Sequence, residues 1–441
     1  MTKVAIVGYA VENQAALRHL QRKGAEITVC DQDKAVVVPE GVASRLGEAY
    51  LDDLDEFDVI IRTVGMHPDT ILAKNPAVAG KITTAVNLFF EECKTPIIGV
   101  TGTKGKGTTS TLITKILQAA GKTVLLGGNI GVPMLDLLPQ ASTADYVVLE
   151  LSSFQLIDCK YSPHIAVCLM VAPEHLNWHH DMDEYIDAKQ HLFQAQTTDD
   201  RAVFNRNNAL SHDVAAISMA QKVSYEVPGP GAEPSAKTGA YVMDDTIFMD
   251  QTPVCKTADI ALLGRHNFQN VCAAVAATWE IIQHDAPAVQ SVVKSFTGLE
   301  HRLELVRELK GVKYYDDSFG TTPKTAIVAI QAFDQPKVVI LGGSDKGAEF
   351  GDLAHVVAAN NVKAVVLIGD TGPKIHEALT TAGYTNIVDG GGTMASIMGA
   401  VQSQTAPGAV VLLSTGCASF GLFENYKDRG NQFRQAVLAL A

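Results

Sequence analysis

Apolar residues recur along the chain in short runs separated by helical stretches. VAIVG reads as a strand, a helix is expected from about Asn13 to Lys23, and EITVCD is a second strand ending at Asp31. Residues 58–65, DVIIRTVG, supply another strand of this first α/β unit. The pattern restarts after Pro96. IIGV is a strand, and a helix is expected from Thr108 to Ala120, stopping at Gly121. DYVVLEL and HIAVCLMVA are near-continuously apolar, as strands of a parallel sheet covered on both faces are. Residues 211–256 alternate and are punctuated by Gly and Pro, which predicts a β excursion, and NFQNVCAAVAATWEII is a strongly apolar helix. A second restart near Gly298 brings KVVILGG, AVVLIGD and AVVLLST, strands of a doubly wound domain. The triple glycine 390–392 reads as a strand–helix turn. The expected fold is therefore α/β in three domains, 1–92, 93–297 and 298–441, the first and last Rossmann-like, the central one built on a mostly parallel sheet.

Composition narrows the function classes. The 441 residues match roughly three domains at about 150 residues each. A hydrophobic share of 47% and a charged share of 19% describe an ordinary globular chain. No apolar run of 18 residues exists, so no membrane span is expected. The first residues lack a signal-peptide layout, and the seven cysteines form no C-x-x-C pair. Cys168 and Cys272 lie inside apolar runs, as buried thiols in a reducing cytoplasm do. A formal charge of −13 argues against bulk nucleic-acid binding. Anionic ligands then need local basic or N–H-rich pockets.

VTGTKGKGTTS, residues 100–110, is such a pocket in sequence form. A glycine-rich loop between a strand and a helix offers backbone N–H groups and a helix N-terminus to phosphates. Gly102, Gly105 and Gly107 permit close approach, and Lys106 is placed to reach the β- and γ-phosphates. The common pattern G-x-x-x-x-G-K-[ST] is broken twice: Val100 stands at the leading glycine, and Gly107 stands where a hydroxyl should hold Mg²⁺. Thr108 is the next hydroxyl available. Other residues are equivocal alone. Glu150 at a strand end reads equally as a surface carboxylate, and Lys189 as a solvated helix lysine. The run His175, His179, His180 raises zinc, but no nearby cysteine or properly spaced second pair completes such a site, so His179 and His180 are expected in a polar loop.

Taken in order, the motifs resemble those of the Mur ligases and the related folylpolyglutamate synthetases, over essentially the whole chain. TGTKGKGTT, with Gly102, Thr103, Lys104, Gly105, Lys106, Gly107 and Thr108, resembles their ATP loop, in which the hydroxyl residue follows a glycine. Glu150-Leu-Ser-Ser-Phe-Gln-Leu156 resembles the segment whose Glu binds Mg²⁺, and Pro173-Glu-His175-Leu176 the one whose His binds a second Mg²⁺. YIDAKQHLF resembles the helix with a carbamylated lysine, here Lys189. The resemblance places Asn267 and Asn270 near adenine, and Arg302 and Asp317 on the nucleotide side. It assigns Thr321, Lys346, Ser419 and Tyr426 to the incoming amino acid. Gly8, Tyr9, Asp31, Thr63, Gly65 and Asn129 fall where the family holds its UDP-linked substrate.

The implied activity is ATP-dependent amide formation through an acyl phosphate. ATP phosphorylates the carboxylate of UDP-N-acetylmuramoyl-L-alanine, which D-glutamate then attacks, in peptidoglycan precursor synthesis. Two Mg²⁺ ions, a carbamate on Lys189, a cytoplasmic monomer and only small-molecule partners are implied with it. Thr108, Glu150, His175 and the Lys189 carbamate would be the metal ligands, and domain closure around the acyl phosphate is expected. Some positions depart from the pattern. The family's G-x-G-x-[ST]-G loop carries Ala10, Glu12 and Asn13, and Phe319 replaces a lysine. A Glu12 carboxylate facing a diphosphate would repel it, so either it points away or the grip on UDP differs. Two other functions stay open: a Mur-like ligase using L-glutamate or a folate-type acceptor, and a non-catalytic binding protein.

Overall fold

The computed structural model describes residues 2–345 and 347–441. The chain divides into two compact units, residues 1–261 with 265–296, and 262–264 with 297–441.

The first unit holds two sheets. In the N-terminal one, β1 (Lys3–Val7), β2 (Glu26–Asp31), β3 (Ala43–Leu46), β4 (Val59–Arg62) and β5 (Ile82–Thr83) lie in the order β3-β2-β1-β4-β5, all parallel. Helix α1 (Val11–Arg22) starts two residues before the expected Asn13, and α2 (Pro68–Leu72) and α3 (Ala85–Glu92) follow β4 and β5. The second sheet contains β6 (Ile97–Thr101), β7 (Val124–Gly128), β8 (Tyr146–Glu150), β9 (Ile165–Cys168), β10 (Arg201–Asn205), β11 (Gln221–Glu226), β12 (Ala240–Met243), β13 (Thr246–Met249) and β14 (Thr252–Lys256). Their order is β14-β13-β12-β11-β10-β9-β6-β8-β7, parallel from β7 to β12 and antiparallel in the β12–β13–β14 meander.

Helices α4 (Lys106–Ala119), α5 (Met134–Ala141), α6 (Ser153–Leu156), α7 (Met182–Gln194), α8 (Ala209–Ala216), α9 (His266–Thr278) and α10 (Ala286–Ser295) complete the unit. Every residue of β6 is buried, as its apolar run Ile97–Val100 requires of a strand covered on both sides. The region 211–256 is not entirely β. Helix α8 opens it because Asn208 caps the Ser211 amide and the Ser211 hydroxyl bonds the Cys168 carbonyl at 2.9 Å, both local polar signals. One hydrophobic cluster runs from Val4 and Phe89 to Leu149 and Phe193, joining the two sheets' helices through α3 and α5.

In the second unit β15 (Glu304–Leu309), β16 (Val312–Asp316), β17 (Lys337–Gly342), β18 (Val362–Ile368), β19 (Ile387–Asp389) and β20 (Val410–Leu413) form the order β15-β16-β20-β17-β18-β19. Only the β15–β16 pair is antiparallel. Helices α11 (Pro323–Gln331), α12 (Gly351–Ala359), α13 (Gly372–Thr381), α14 (Met394–Gln404) and α15 (Tyr426–Leu438) cover it. Separate apolar clusters around Val339 and Ile340 make up its core.

Candidate active site

The glycine-rich loop links β6 to α4. The helix begins at Lys106, earlier than the expected Thr108, because Gly105 adopts φ +89° and turns the chain into it. A side chain at 105 would place its Cβ 2.4 Å from Asn270 Oδ1, so only glycine fits there. No side chain caps this helix start, which leaves its first turn open to an anion. Lys106 Nζ curls back to the Gly102 and Thr103 carbonyls at 3.0 and 3.2 Å. Thr103 is committed to the protein: its amide bonds the Met170 carbonyl, and its hydroxyl lies 2.9 Å from the Tyr185 hydroxyl and from the Ala172 amide. The Thr109 hydroxyl donates to Asn270 Oδ1, and Asn270 donates to Asn267, so these two asparagines brace the loop. Gly107 is buried, Thr108 is half-buried in the first turn, and Lys104 pairs with Glu174 at 2.5 Å.

Three more expected residues surround the loop's strand. Glu150 ends β8 and is 6% exposed, with Oε1 accepting from Asn129 Nδ2 at 2.8 Å. It is not the surface carboxylate its sequence context allowed. Lys189, on α7, is 1% exposed, with Nζ 3.3 Å from the Gly102 carbonyl and 4.2 Å from the Tyr185 ring centre. Burial, and next the charge on Lys106, push its amine down to about 7. The solvated-lysine alternative is thereby excluded. His175 is exposed and takes φ +60°, a strained left-handed backbone for histidine that costs roughly 1 kcal/mol. Partial desolvation of its ring, although the residue as a whole is exposed, lowers its pKa, helped by lysines 106, 189 and 104 against Glu174. His179 lies in the loop before α7, as expected, but it does not face solvent. It is 2% exposed, bonded to Ser153 Oγ at 2.9 Å and Glu184 at 3.1 Å, because the short α6 presents Ser153 to it.

The N-terminal sheet contributes a second loop pair. Gly8 has φ +79°, and a Cβ there would meet Thr63 Cγ2 at 2.3 Å, so β1 and β4 bring their following loops together. The Tyr9 amide donates to Asp31 Oδ2 at 2.6 Å, and Gly65 is exposed. Asn13, in place of a glycine, is buried and ties the loop through the Val7 and Gly8 carbonyls. Glu12 turns toward α6, where Gln155 Nε2 donates to its Oε1; burial pushes its carboxyl up to about 7, against the lowering pull of Gln155 and Arg62. Sequence reasoning missed Arg62. Its guanidinium is fully buried, binds Asp158 with both oxygens at 3.0 and 2.9 Å, and also donates to the Thr63, Met66 and Phe154 carbonyls. A charged residue ending an apolar strand was its only sequence signal.

In the second unit His301 and Asp316 pair at 2.7 Å, and Arg302 lies 4.0 Å over the ring of Phe319. Asp317 accepts from Ser414 Oγ at 2.6 Å and from the Leu303 amide, and burial raises its pKa to about 7. Ser318 is held by Arg429 and donates to the Tyr426 carbonyl. The Tyr426 ring meets Phe319 edge-on at 5.2 Å. Ser419 is buried and Thr321 exposed; Lys346 lies outside the described residues.

Comparisons with known proteins place the chain in a family. Residues 100–278 match the model of the Mur ligase middle domain, and residues 301–417 that of the Mur ligase, glutamate ligase domain. The chain is 39% identical to the UDP-N-acetylmuramoylalanine–D-glutamate ligase of Symbiobacterium thermophilum, over 100% of this chain and 98% of that protein. It is 36% identical to the same-named ligase of Acetivibrio thermocellus, over 99% and 96%. Among solved structures the UDP-N-acetylmuramate–alanine ligase of Thermotoga maritima shares the fold, with a TM-score of 0.59 at 16% identity over both full chains. So does MurF of Acinetobacter baumannii, with a TM-score of 0.60 at 16% identity over 94% of this chain and 85% of that one. With matches of this length and identity, the chain belongs to the Mur ligase family.

Proposed function

We propose that the chain is an ATP-dependent ligase that joins D-glutamate to UDP-N-acetylmuramoyl-L-alanine in the cytoplasm, acting as a monomer. The observation that carries this reading is the group around the glycine-rich loop: an uncapped helix start, Lys106, the buried Glu150 and the buried Lys189. In a Mur ligase spanned end to end by D-glutamate-adding relatives, that group suits transfer of a γ-phosphoryl to a carboxylate. Lys106 and the first-turn amides of α4 hold the phosphates. Glu150 and Thr108 offer oxygen ligands of the kind Mg²⁺ takes, and His175, whose pKa is lowered in part by lysines 106, 189 and 104, offers a neutral imidazole. Mg²⁺ supplies charge neutralisation between phosphate and carboxylate. An amine with a pKa near 7 is largely uncharged just above neutrality, the form that adds CO₂, so Lys189 is fitted to carry a carbamate. Thr63, Gly65 and Asn129 hold the UDP-linked substrate; Ser419 and Tyr426 orient the amino acid. The test is ADP release across acceptors and amino acids. Release with UDP-N-acetylmuramoyl-L-alanine and D-glutamate together, and not with L-glutamate or a folate acceptor, is expected. Release only with another pair would sink the assignment, and no release with any pair would leave a binding protein.

A further inference from the structure

We propose a zinc-class cation site formed by His67, His180 and Glu184, with Asp69 as fourth ligand, clamping the N-terminal sheet's β4–α2 loop to the start of α7. Its members lie apart in sequence, since His67 and Glu184 are separated by 117 residues. In the fold, one ligand atom from each of His67, His180 and Glu184 lies within 4.8 Å of the others. His67 Nε2 is 3.2 Å and His180 Nε2 3.8 Å from the same Glu184 Oε1. Asp69 Oδ2 is 2.8 Å from His180 Nε2. Ligands on a tetrahedral zinc, at about 2.0–2.1 Å from the metal, stand about 3.3 Å apart. Small side-chain movements therefore bring His67, His180 and Glu184 onto one ion, and the exposed Asp69 side chain reaches it by rotating beside His180.

The surroundings fit a metal better than a chance ion pair. Glu184 Oε2 is already fixed by His179 Nδ1 at 3.1 Å and the His180 amide at 3.0 Å, which aims Oε1 at the two imidazoles. His67 is braced edge-on by Trp178, whose indole N–H donates to the Gly65 carbonyl at 3.0 Å. Without metal, His67 Nδ1 accepts from the Asp69 amide at 3.2 Å, leaving its proton on Nε2. Loading moves that proton to Nδ1, and the exposed Asp69 amide turns to water. His67 and Glu184 are mostly covered, while His180 and Asp69 are open, giving an entry path. Two imidazoles and two carboxylates select zinc or cobalt over magnesium, which prefers oxygen ligands alone. The expectation of no zinc rested on His175, His179 and His180; His67 comes from the other end of the unit.

The site shares no ligand with the group around Lys106 and is tested without an activity assay. Full-length, tag-free chain stripped with EDTA is titrated with Co²⁺ in excess Mg²⁺, which keeps the oxygen-ligand sites occupied. We expect one equivalent bound with the intense visible absorption of tetrahedral cobalt, bleached by Zn²⁺. His67→Ala and His180→Ala should each weaken uptake roughly tenfold or more, and His175→Ala should not change it. The His180 side chain is largely exposed, so its variant should keep the wild-type unfolding midpoint in EDTA, while Zn²⁺ raises the midpoint of the wild type alone. No tetrahedral band from the wild type, or full uptake surviving either histidine substitution, overturns the proposal.

Discussion

At the scale of single residues, burial turns ordinary side chains into groups that titrate near neutrality. Glu12 replaces a hydroxyl residue in a loop expected to face a diphosphate, yet it bonds Gln155 and its carboxyl is raised from 4.5 to about 7. A raised folded pKa means that the native state holds its proton longer than the unfolded chain does. The stabilisation is complete below about 4.5 and is lost as pH rises through 7. Glu12→Gln keeps the acceptor oxygen and removes the titration. Denaturant unfolding should find the variant equal to wild type at pH 4.5 and more stable at pH 8, by on the order of 1 kcal/mol after discounting for partial exposure. Equal stability at both pH values would contradict the placement of Glu12. Lys189 behaves oppositely, because its folded pKa is depressed from 10.5 to about 7. The unfolded chain binds the extra proton across that window, so stability is full above 10.5 and falls as pH drops through 7. In CO₂-free buffer, wild type should gain a few kcal/mol between pH 7 and pH 10, at roughly 1.4 kcal/mol for each pH step of one across that window, and Lys189→Met should lack that gain. Both positions stand out in sequence through the family pattern, but the burial that perturbs them does not, because taken alone Glu12 and Lys189 look like any helix residues.

At the scale of elements, the loop–helix joint at 101–109 was readable because its chemistry is contiguous in sequence. Its internal division of labour was not. Thr103 and Thr109 point into the protein, on Tyr185 and Asn270, while Thr108 lies between them in the first turn of α4. Thr108→Ala should therefore reduce Mg-ATP turnover about 100-fold or more with little change in unfolding midpoint. Thr109→Ala should lower stability by about 1 kcal/mol, having lost a buried hydrogen bond, with a smaller effect on turnover. Turnover unaffected by Thr108→Ala would remove that hydroxyl from the metal's ligands. Elements that meet from far apart in the chain escaped sequence reading altogether. The Arg62–Asp158 pair spans 96 residues and the Glu12–Gln155 bond 143. Each partner is polar and unremarkable until the fold buries it, which is why a strand-ending arginine gave no hint that it ties the Thr63–Met66 loop to α6 and the residues just after it.

At the scale of the whole molecule, the strand–helix pattern and its two restarts were visible as apolar runs, and the compact units divide at 296/297. What the runs did not reveal was where local capping or pairing overrides them. Asn208 starts a helix inside a region that looked β, and β15 and β16 pair antiparallel at the edge of an otherwise parallel sheet. The cores follow the units. Phe89 is fully buried in the cluster that unites the first unit's two sheets, and Phe433 is fully buried in a cluster confined to the second. Truncating a buried phenylalanine to alanine costs about 3–5 kcal/mol, as transfer and cavity terms add. If each unit unfolds around its own core, calorimetry of the full chain resolves two transitions. Phe89→Ala should then lower one by several degrees and leave the other in place, and Phe433→Ala should do the reverse. A single transition that both substitutions lower equally would mean that the units unfold as one, and the separation of their apolar clusters would then carry no thermodynamic weight.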